Sequence, residues 1–407
     1  MRGEKFWLFI SLGVLFFSFI QVDFFYNNGP FLSLRRIKSG SDIYSGQLHR
    51  ITEGPLLQAR PDAKININGK EVQWERLVYN PAAVKIDGVT YLLYRALGND
   101  GISRIGLWWS EDGITESGRL DYPVFGPEEN YECLQDIDIE KRRADQLSKY
   151  GTIREVGGVE DPRITIVGEY LYMTYTAYGE IPQIAAARIK IKDFLSDVKE
   201  VKPYQGWKDS WERLGIIRTG EDKDAVIISP GSSSEGLLLI HRISPPDISP
   251  PDMQIVPITD KAQIDDVDNI GNVFMQPREG MWDSEKIGAG TTPVKTEYGW
   301  LQIYHGVGIW NGRRAYRLGV VLTDLNDPSK IIYRSLNPVF EPQANYEKYG
   351  WVNDVVFTCG AVPRNKNSND IFGRDDEILV YYGGADEVIG VASAKISELI
   401  PEKFLNP

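Results

Sequence analysis

The sequence predicts an all-β protein, a closed ring of repeated strand pairs in the manner of a propeller, behind an N-terminal hydrophobic segment. Three observations predict it. Five strand pairs recur along the chain, each opening on a polar residue, running through an apolar strand and a turn, and returning as an aromatic-rich strand. Their starts at residues 80, 161, 223, 291 and 354 lie roughly 60 to 80 residues apart, a propeller-like period with long insertions. The composition, 11% aromatic with 39 glycines in 407 residues, suits many short strands and tight turns.

Taken in order, Phe6 to Ile20 is almost unbroken apolar sequence after Arg2 and Lys5. It is long for a signal-peptide core and short for a full membrane span. No small-residue cleavage site follows, so residues 1–25 read as an uncleaved signal anchor, with a signal peptide and secretion as the alternative. Arg2 and Lys5 compete with Arg35, Arg36 and Lys38, which leaves the side of the membrane undecided. Residues 26–60 read as a linker, and 61–400 as the β domain.

Within that domain, Asn80-Pro-Ala-Ala-Val leads through an Asp87-Gly88 hairpin turn to Tyr91–Ala96. Asp161-Pro-Arg-Ile leads to Tyr170–Ala177, and Lys223-Asp-Ala-Val-Ile to Leu237–Arg242. Thr291-Thr-Pro-Val-Lys leads to Trp300–Gly306, and Asp354-Val-Val-Phe to Ile378–Gly384. Ile105–Gly113 and Leu318–Pro328 resemble each other as outer strands. The charged stretch 136–149 reads as one exposed helix inserted between repeats. The proline-rich run 243–252 reads as an extended surface loop. Ser229–Gly236 reads as a flexible turn that lacks the lysine and helix of a phosphate loop.

The charge balance excludes one class of partner. A net charge of -12 with no long basic run argues against nucleic acid. It does not bar an anionic ligand, because a site responds to its local charges. Cys133 and Cys359 form no disulfide framework and read as two free thiols, Cys359 within an apolar run. Three widely spaced histidines, His49, His241 and His305, match no zinc signature, so no metal is expected.

Equivalent positions in a closed ring converge on one end of its channel. The residues expected there are Asn80, Arg95, Asp161, Lys223, Arg242, Lys286, His305, Tyr316 and Asp386, one carboxylic acid beside a basic cluster. Seven of them also have a plain structural explanation. An Asp-Pro pair at a strand start is a common turn. Arg95, Arg242 and Lys286 could be ordinary ion pairs, Tyr316 a strand aromatic, His305 a core histidine and Asp386 a turn residue.

Five motifs occur in order: Val159-Glu-Asp-Pro-Arg-Ile164, Lys286-Ile-Gly-Ala-Gly290, Gly299-Trp-Leu-Gln-Ile-Tyr-His-Gly-Val307, Tyr316-Arg-Leu-Gly319 and Tyr381-Tyr-Gly-Gly-Ala-Asp386. Together they resemble glycoside hydrolase family 130, the β-mannoside phosphorylases and β-1,2-mannosidases, from about Asn80 to Ala394. The resemblance implies a five-bladed β-propeller. It implies inverting phosphorolysis of a β-mannoside to α-mannose 1-phosphate, with Asp161 as general acid acting through a sugar hydroxyl. It places phosphate on Arg242, Lys286, His305, Tyr316 and Lys223, and the mannosyl unit on Asn80, Arg95 and Asp386, with Glu160 beside them. Tyr178, Trp310 and Trp351 are candidate stacking platforms for the acceptor sugar. Inorganic phosphate is a co-substrate, and no other cofactor is implied. The expected partners are a β-mannoside oligosaccharide, phosphate, a membrane through the N-terminal segment and, as an open question, a second copy of the chain. A mannosidase using water would need a second carboxylate, Glu160 or Glu285. A non-catalytic glycan-binding propeller would more naturally lack Asp161. One departure stands out: where the family has Phe before Pro, this chain has Lys223-Asp-Ala-Val-Ile-Ile-Ser-Pro230.

Overall fold

The computed structural model describes residues 46–151, 153–231, 236–244, 250–264 and 269–405. The expected anchor at 1–25, and the centres of the proline-rich loop and of the turn at 229–236, lie outside the described residues. Among the described residues no helix is long and apolar enough to cross a membrane.

Period-two alternation and tight turns fold the chain into five antiparallel meanders in a propeller-like arrangement. The first unit is Leu77–Ile86, Val89–Leu97, Ile102–Ser110 and Gly118–Arg119. The second is Gly157–Val167, Tyr170–Tyr178, Pro182–Lys190 and Glu212–Ile216. The third is Asp222–Ile228, Leu237–Ile243, Met253–Ile258 and Asn272–Met275. In the fourth, the first strand is split into Lys286–Ala289 and Val294–Thr296, both paired with Gly299–Trp310, followed by Arg313–Thr323 and Ile331–Arg334. Pro293 explains the split, since it has no N–H to give to a ladder. The fifth is Val356–Pro363, Glu377–Gly384 and Val388–Lys395, and its outer strand is His49–Arg50 from the start of the chain. Ile105–Gly113 and Leu318–Pro328, expected as outer strands, fall instead on and just after the third strands of the first and fourth units, with Gly118–Arg119 and Ile331–Arg334 outside them.

Residues 48–57, expected as the tail of a linker, belong to this fold. Leu48 is buried, Arg50 grips Glu347 at 2.6 Å, and Leu57 bridges to Ile389. The charged stretch is the helix Asp136–Tyr150, ended by Gly151 in the left-handed conformation. Both cysteines are free thiols, Cys359 buried.

The apolar faces are buried between consecutive units. Leu93 and Leu107 pack with Leu171 and Met173 between the first and second. Further cores join second to third, third to fourth and fourth to fifth. A fifth, with Leu92, Trp108, Leu379 and Val391, joins the last unit to the first. The cores are therefore in circular order.

Each unit also carries the same buried polar tie. A second-strand side chain meets an acid with no exposed surface that is paired with arginine. Tyr94 and Arg119 hold Glu75. Tyr175 and Arg213 hold Glu132, and Tyr304, Arg278 and Arg334 hold Asp283. Tyr382 and Arg50 hold Glu347. In the third unit His241 replaces the tyrosine, 2.7 Å from Asp222, with Arg218 at 3.3 Å. A buried acid is tolerable only when it is paired and hydrogen-bonded, and each of these is.

Candidate active site

Two repeated backbone positions build the site. The first is a bulge in the first strand. Tyr79 pairs with Arg95 and Ala82 with Leu93, so one extra residue sits between them. Glu160–Thr176 and Arg163–Thr174 repeat this in the second unit, and Lys223–Arg242 and Val226–Ile240 in the third. The bulged residue is left-handed each time: Asn80 at φ 49, Asp161 at φ 48, Asp224 at φ 58. Asn and Asp are the non-glycine residues that tolerate this conformation best. The second position follows the buried tie on the second strand. It holds Arg95, Arg242 and His305, and Arg95 and Arg242 lie opposite the residue that precedes the bulge.

Asp161 accepts a hydrogen bond from Asn80 at 2.9 Å and one from Arg95 at 3.1 Å. The Arg95 guanidinium also donates to Glu160 at 2.8 Å and lies 3.2 Å from Glu155. Lys223 reaches Glu160 at 3.5 Å. Burial pushes Asp161 up, but Arg95, Lys223, Asn80 and Arg163 outweigh it and hold the carboxyl below its ordinary range. Glu160, with hardly any exposed surface, goes the other way, because burial overcomes Arg95 and Lys223.

The basic residues gather round Asp224. Arg242 donates to it at 2.8 Å, Arg163 at 3.3 Å, and His305 Nε2 stands 3.5 Å away. Despite burial, Arg242, His305, Arg163 and Lys286 hold Asp224 far below the usual carboxylate range. Lys286 donates to the Tyr316 hydroxyl at 3.2 Å. Burial, and then the Arg242 charge, pull Lys286 down to about 8. His305 is buried, neither ring nitrogen has a hydrogen-bond partner among the described residues, and its ring lies 4.4 Å from that of Phe357. Burial and the neighbouring cations pull it down to about 3, so the imidazole is neutral and has an N–H to give. Asp386 is pushed up to about 7 by burial and by Glu155 and Asp161.

The structure thus brings together Asn80, Arg95, Glu160, Asp161 and Lys223 in one contact network. It ties Arg242 and His305 to Asp224, and Lys286 to Tyr316. Arg163 bridges the two groups, donating to the Asp161 carbonyl at 3.1 Å as well as to Asp224. Asp386 lies in their field without a hydrogen bond to a described residue. Of the stacking candidates, Trp351 packs against the cluster that includes Tyr79, whose ring lies under Arg95. Tyr178 lies under Arg142, Trp351 under Arg76, and Trp310 at a hairpin end. Of the carboxylates expected to activate water, Glu285 is turned to Arg314 at 2.7 Å and Glu160 is locked as described.

Sequence reasoning missed Asp224, Arg163, Glu155 and Gly288. A side chain at Gly288 would begin 2.3 Å from the Asp224 carboxylate and 2.4 Å from the His305 ring. Glycine there is what lets the two meet.

The sequence family described as beta-1,4-mannooligosaccharide phosphorylase, glycoside hydrolase family 130, matches residues 48–402. A 1,2-beta-oligomannan phosphorylase of Thermoanaerobacter sp. (strain X514) is 32% identical over 363 residues, 87% of this chain and 99% of the relative. A beta-1,2-mannobiose phosphorylase of the same organism is 34% identical over 341 residues, 79% of this chain and 92% of the relative. Among solved structures, the Listeria innocua beta-1,2-mannobiose phosphorylase in complex with beta-1,2-mannobiose superposes with a TM-score of 0.64. That pair is 24% identical, covers 86% of this chain and 98% of the other, and speaks for the fold.

Proposed function

Since the chain belongs to glycoside hydrolase family 130, we propose that it is an inverting phosphorylase cleaving β-mannosides to α-mannose 1-phosphate and a shortened sugar. The two Thermoanaerobacter relatives named above act, by their names, on β-1,2-linked mannosides, and we carry that linkage to this chain. We read the five units as the blades of a five-bladed propeller. On hydropathy alone, we keep residues 1–25 as a membrane anchor. One observation carries the reaction type: a hydrogen-bonded acid, Asp161, stands next to a cationic cluster that can hold a second anion.

Asn80, Arg95 and Asp386 hold the mannosyl hydroxyls in this reading. Arg242, Lys286, Lys223, the His305 N–H and the Tyr316 hydroxyl hold phosphate, through charged and neutral donors suited to its oxygens. A phosphate oxygen attacks the anomeric carbon as the bond to the leaving oxygen breaks. The proton from Asp161 reaches that oxygen through a mannosyl hydroxyl. The proton of the attacking hydrogen phosphate restores Asp161, so the reaction takes up no net proton. Hydrolysis with inversion would need a carboxylate base on the face opposite the acid. The carboxylate of the cationic cluster is Asp224, and its arginines keep it from acting as one.

The test is product identification from β-1,2- and β-1,4-mannobiose with and without phosphate. Mannose 1-phosphate formed only with phosphate is expected. Free mannose released at the same rate in both would overturn the reading.

A further inference from the structure

Three carboxylates crowd the Arg95 guanidinium, and they are not alike. The Glu160 side chain is 1% exposed and that of Asp161 10%, whereas that of Glu155 is 33% exposed. Glu160 uses both oxygens, one on Arg95 and one on Lys223. Glu155 uses only Oε1, which accepts from the Tyr79 hydroxyl at 3.0 Å and faces Arg95 at 3.2 Å. Its Oε2 has no partner among the described residues. A carboxylate held by one oxygen, with the other open beside a glycoside site, is a ready acceptor for a sugar hydroxyl.

Its backbone is held deliberately. The inserted helix Asp136–Tyr150 sends Gln146 to the Glu155 carbonyl at 2.7 Å, and the same side chain accepts the Arg154 N–H at 2.6 Å. Arg142 on that helix donates to the Val156 carbonyl at 2.7 Å and the Gly179 carbonyl at 3.0 Å. The segment carrying Glu155 is therefore clamped on both sides, while the clamping helix is exposed along most of its length. A merely space-filling insertion would not need to fix this stretch.

The geometry of inversion says which sugar Glu155 meets. Phosphate attacks from the face opposite the leaving sugar, so that sugar must lie away from the cations around Asp224. Glu155 belongs to the other side. It sits with Tyr79, Arg95 and Asp386, and contacts neither Arg242, Lys286 nor His305.

Resting on the phosphorylase reading above, we propose that Glu155 is a specificity-determining residue for the leaving, or acceptor, sugar. Its open oxygen receives a hydroxyl of that sugar, and the inserted helix sets its position. The acceptor it selects is a neutral sugar with a free hydroxyl directed at the carboxylate. An acidic sugar at that place is repelled.

The experiment runs the reaction in the synthetic direction, with α-mannose 1-phosphate as donor and mannose or β-1,2-mannobiose as acceptor. Wild type, Glu155→Gln and Glu155→Ala are compared, with thermal unfolding as the check on folding. Loss of a hydrogen bond to a charged acceptor raises KM about tenfold or more. Glu155→Ala is expected to raise the acceptor KM by that factor and leave the KM for mannose 1-phosphate within about twofold. Glu155→Gln, which keeps an acceptor oxygen, is expected to recover part of the loss. An unchanged acceptor KM in Glu155→Ala overturns the proposal. So does an equal rise in both KM values, because Glu155 would then act through Arg95 on the mannosyl unit. If wild type makes no product from mannose 1-phosphate, the phosphorylase reading fails by itself. Calorimetric binding of β-1,2-mannobiose then decides for Glu155. Binding about tenfold weaker in Glu155→Ala sustains its role, and equal binding, or none in wild type, removes it.

Discussion

Lys286 offers the sharpest test of the proposed phosphate site, because its environment works against its charge. Its amine is pulled from an ordinary 10.5 to about 8, first by burial and then by Arg242. A difference of two to three units corresponds to about 3 kcal/mol against the ammonium in the phosphate-free protein. Because the folded value is below the ordinary one, that cost is present in full below pH 8 and disappears as the pH rises toward 10.5. A bound phosphate supplies the missing counter-charge, so it binds the ammonium form and stabilises the protein most below pH 8. The KM for phosphate, measured from initial rates at saturating mannoside between pH 6 and 10, is expected to rise about tenfold per unit above about pH 8. Tyr316 does not confuse the reading, since burial holds its hydroxyl above its ordinary value. Arg242→Gln gives a signature that a generic loss of function cannot mimic. At pH 7 it is expected to raise the phosphate KM about tenfold to a hundredfold through a lost charged hydrogen bond. At the same time it removes the strongest charge acting against Lys286, so the alkaline rise moves to higher pH. A phosphate KM flat through pH 9 would refute the reasoning, as would an alkaline rise unmoved by Arg242→Gln or a rise of the same size in the mannoside KM.

Three further outcomes are expected. Asp161→Asn keeps the hydrogen bond from Asn80 and loses the proton, so kcat drops about a thousandfold while the unfolding free energy stays within about 1 kcal/mol; near-normal kcat would take Asp161 out of the mechanism. Gly288→Ala puts a methyl against Asp224 and His305, and is expected to raise the phosphate KM about tenfold or more with little change in the mannoside KM. Arg50→Ala leaves Glu347 buried without its cation, and is expected to cost about 3 kcal/mol in urea unfolding with an unchanged m-value; a loss below about 1 kcal/mol would show that the ring closes without this pair.

The five strand pairs were legible because their signals are local: an alternating apolar strand, a turn, an aromatic strand. The inserted helix was legible for the same reason, as a single charged run. Residues 48–57 were not, because the strand His49–Arg50 is two residues long and its partner Ala392–Ser393 lies at the other end of the chain. No period can be seen in two residues. The site divides along the same line. Asn80 and Asp161 announce themselves because proline follows each. Asp224 occupies the same bulge but is followed by Ala225, so only the strand register, absent from the sequence, shows the equivalence. The sequence pattern marks Lys223, one residue earlier, instead. Gly288 and Arg163 were silent for a further reason. Their contacts join the second, third and fourth units, and no local pattern encodes a meeting between units.

Asn80, Asp161 and Asp224 share one backbone geometry, so their different parts come from what surrounds them. Asn80 has no charge to give and orients its neighbour. Asp224 is pinned as an anion chiefly by Arg242, Arg163 and Lys286 and serves to assemble them. Asp161 is intermediate. Its carboxyl is kept low largely by cations, and Lys223 and Arg163 among them also act on the cationic cluster round Asp224. A dianion entering that cluster cancels part of the field holding Asp161 ionised. A unit charge some 5 to 10 Å away at an effective dielectric of about 20 is worth roughly 2 to 3 kcal/mol, or about two pKa units. A dianion near Asp161 thus moves the carboxyl toward its protonated form. In the proposed reaction, phosphate both attacks the sugar and arms the acid that releases it. Water, carrying no charge, can do the first but not the second, and the preference for phosphate follows from the electrostatics that assemble the site.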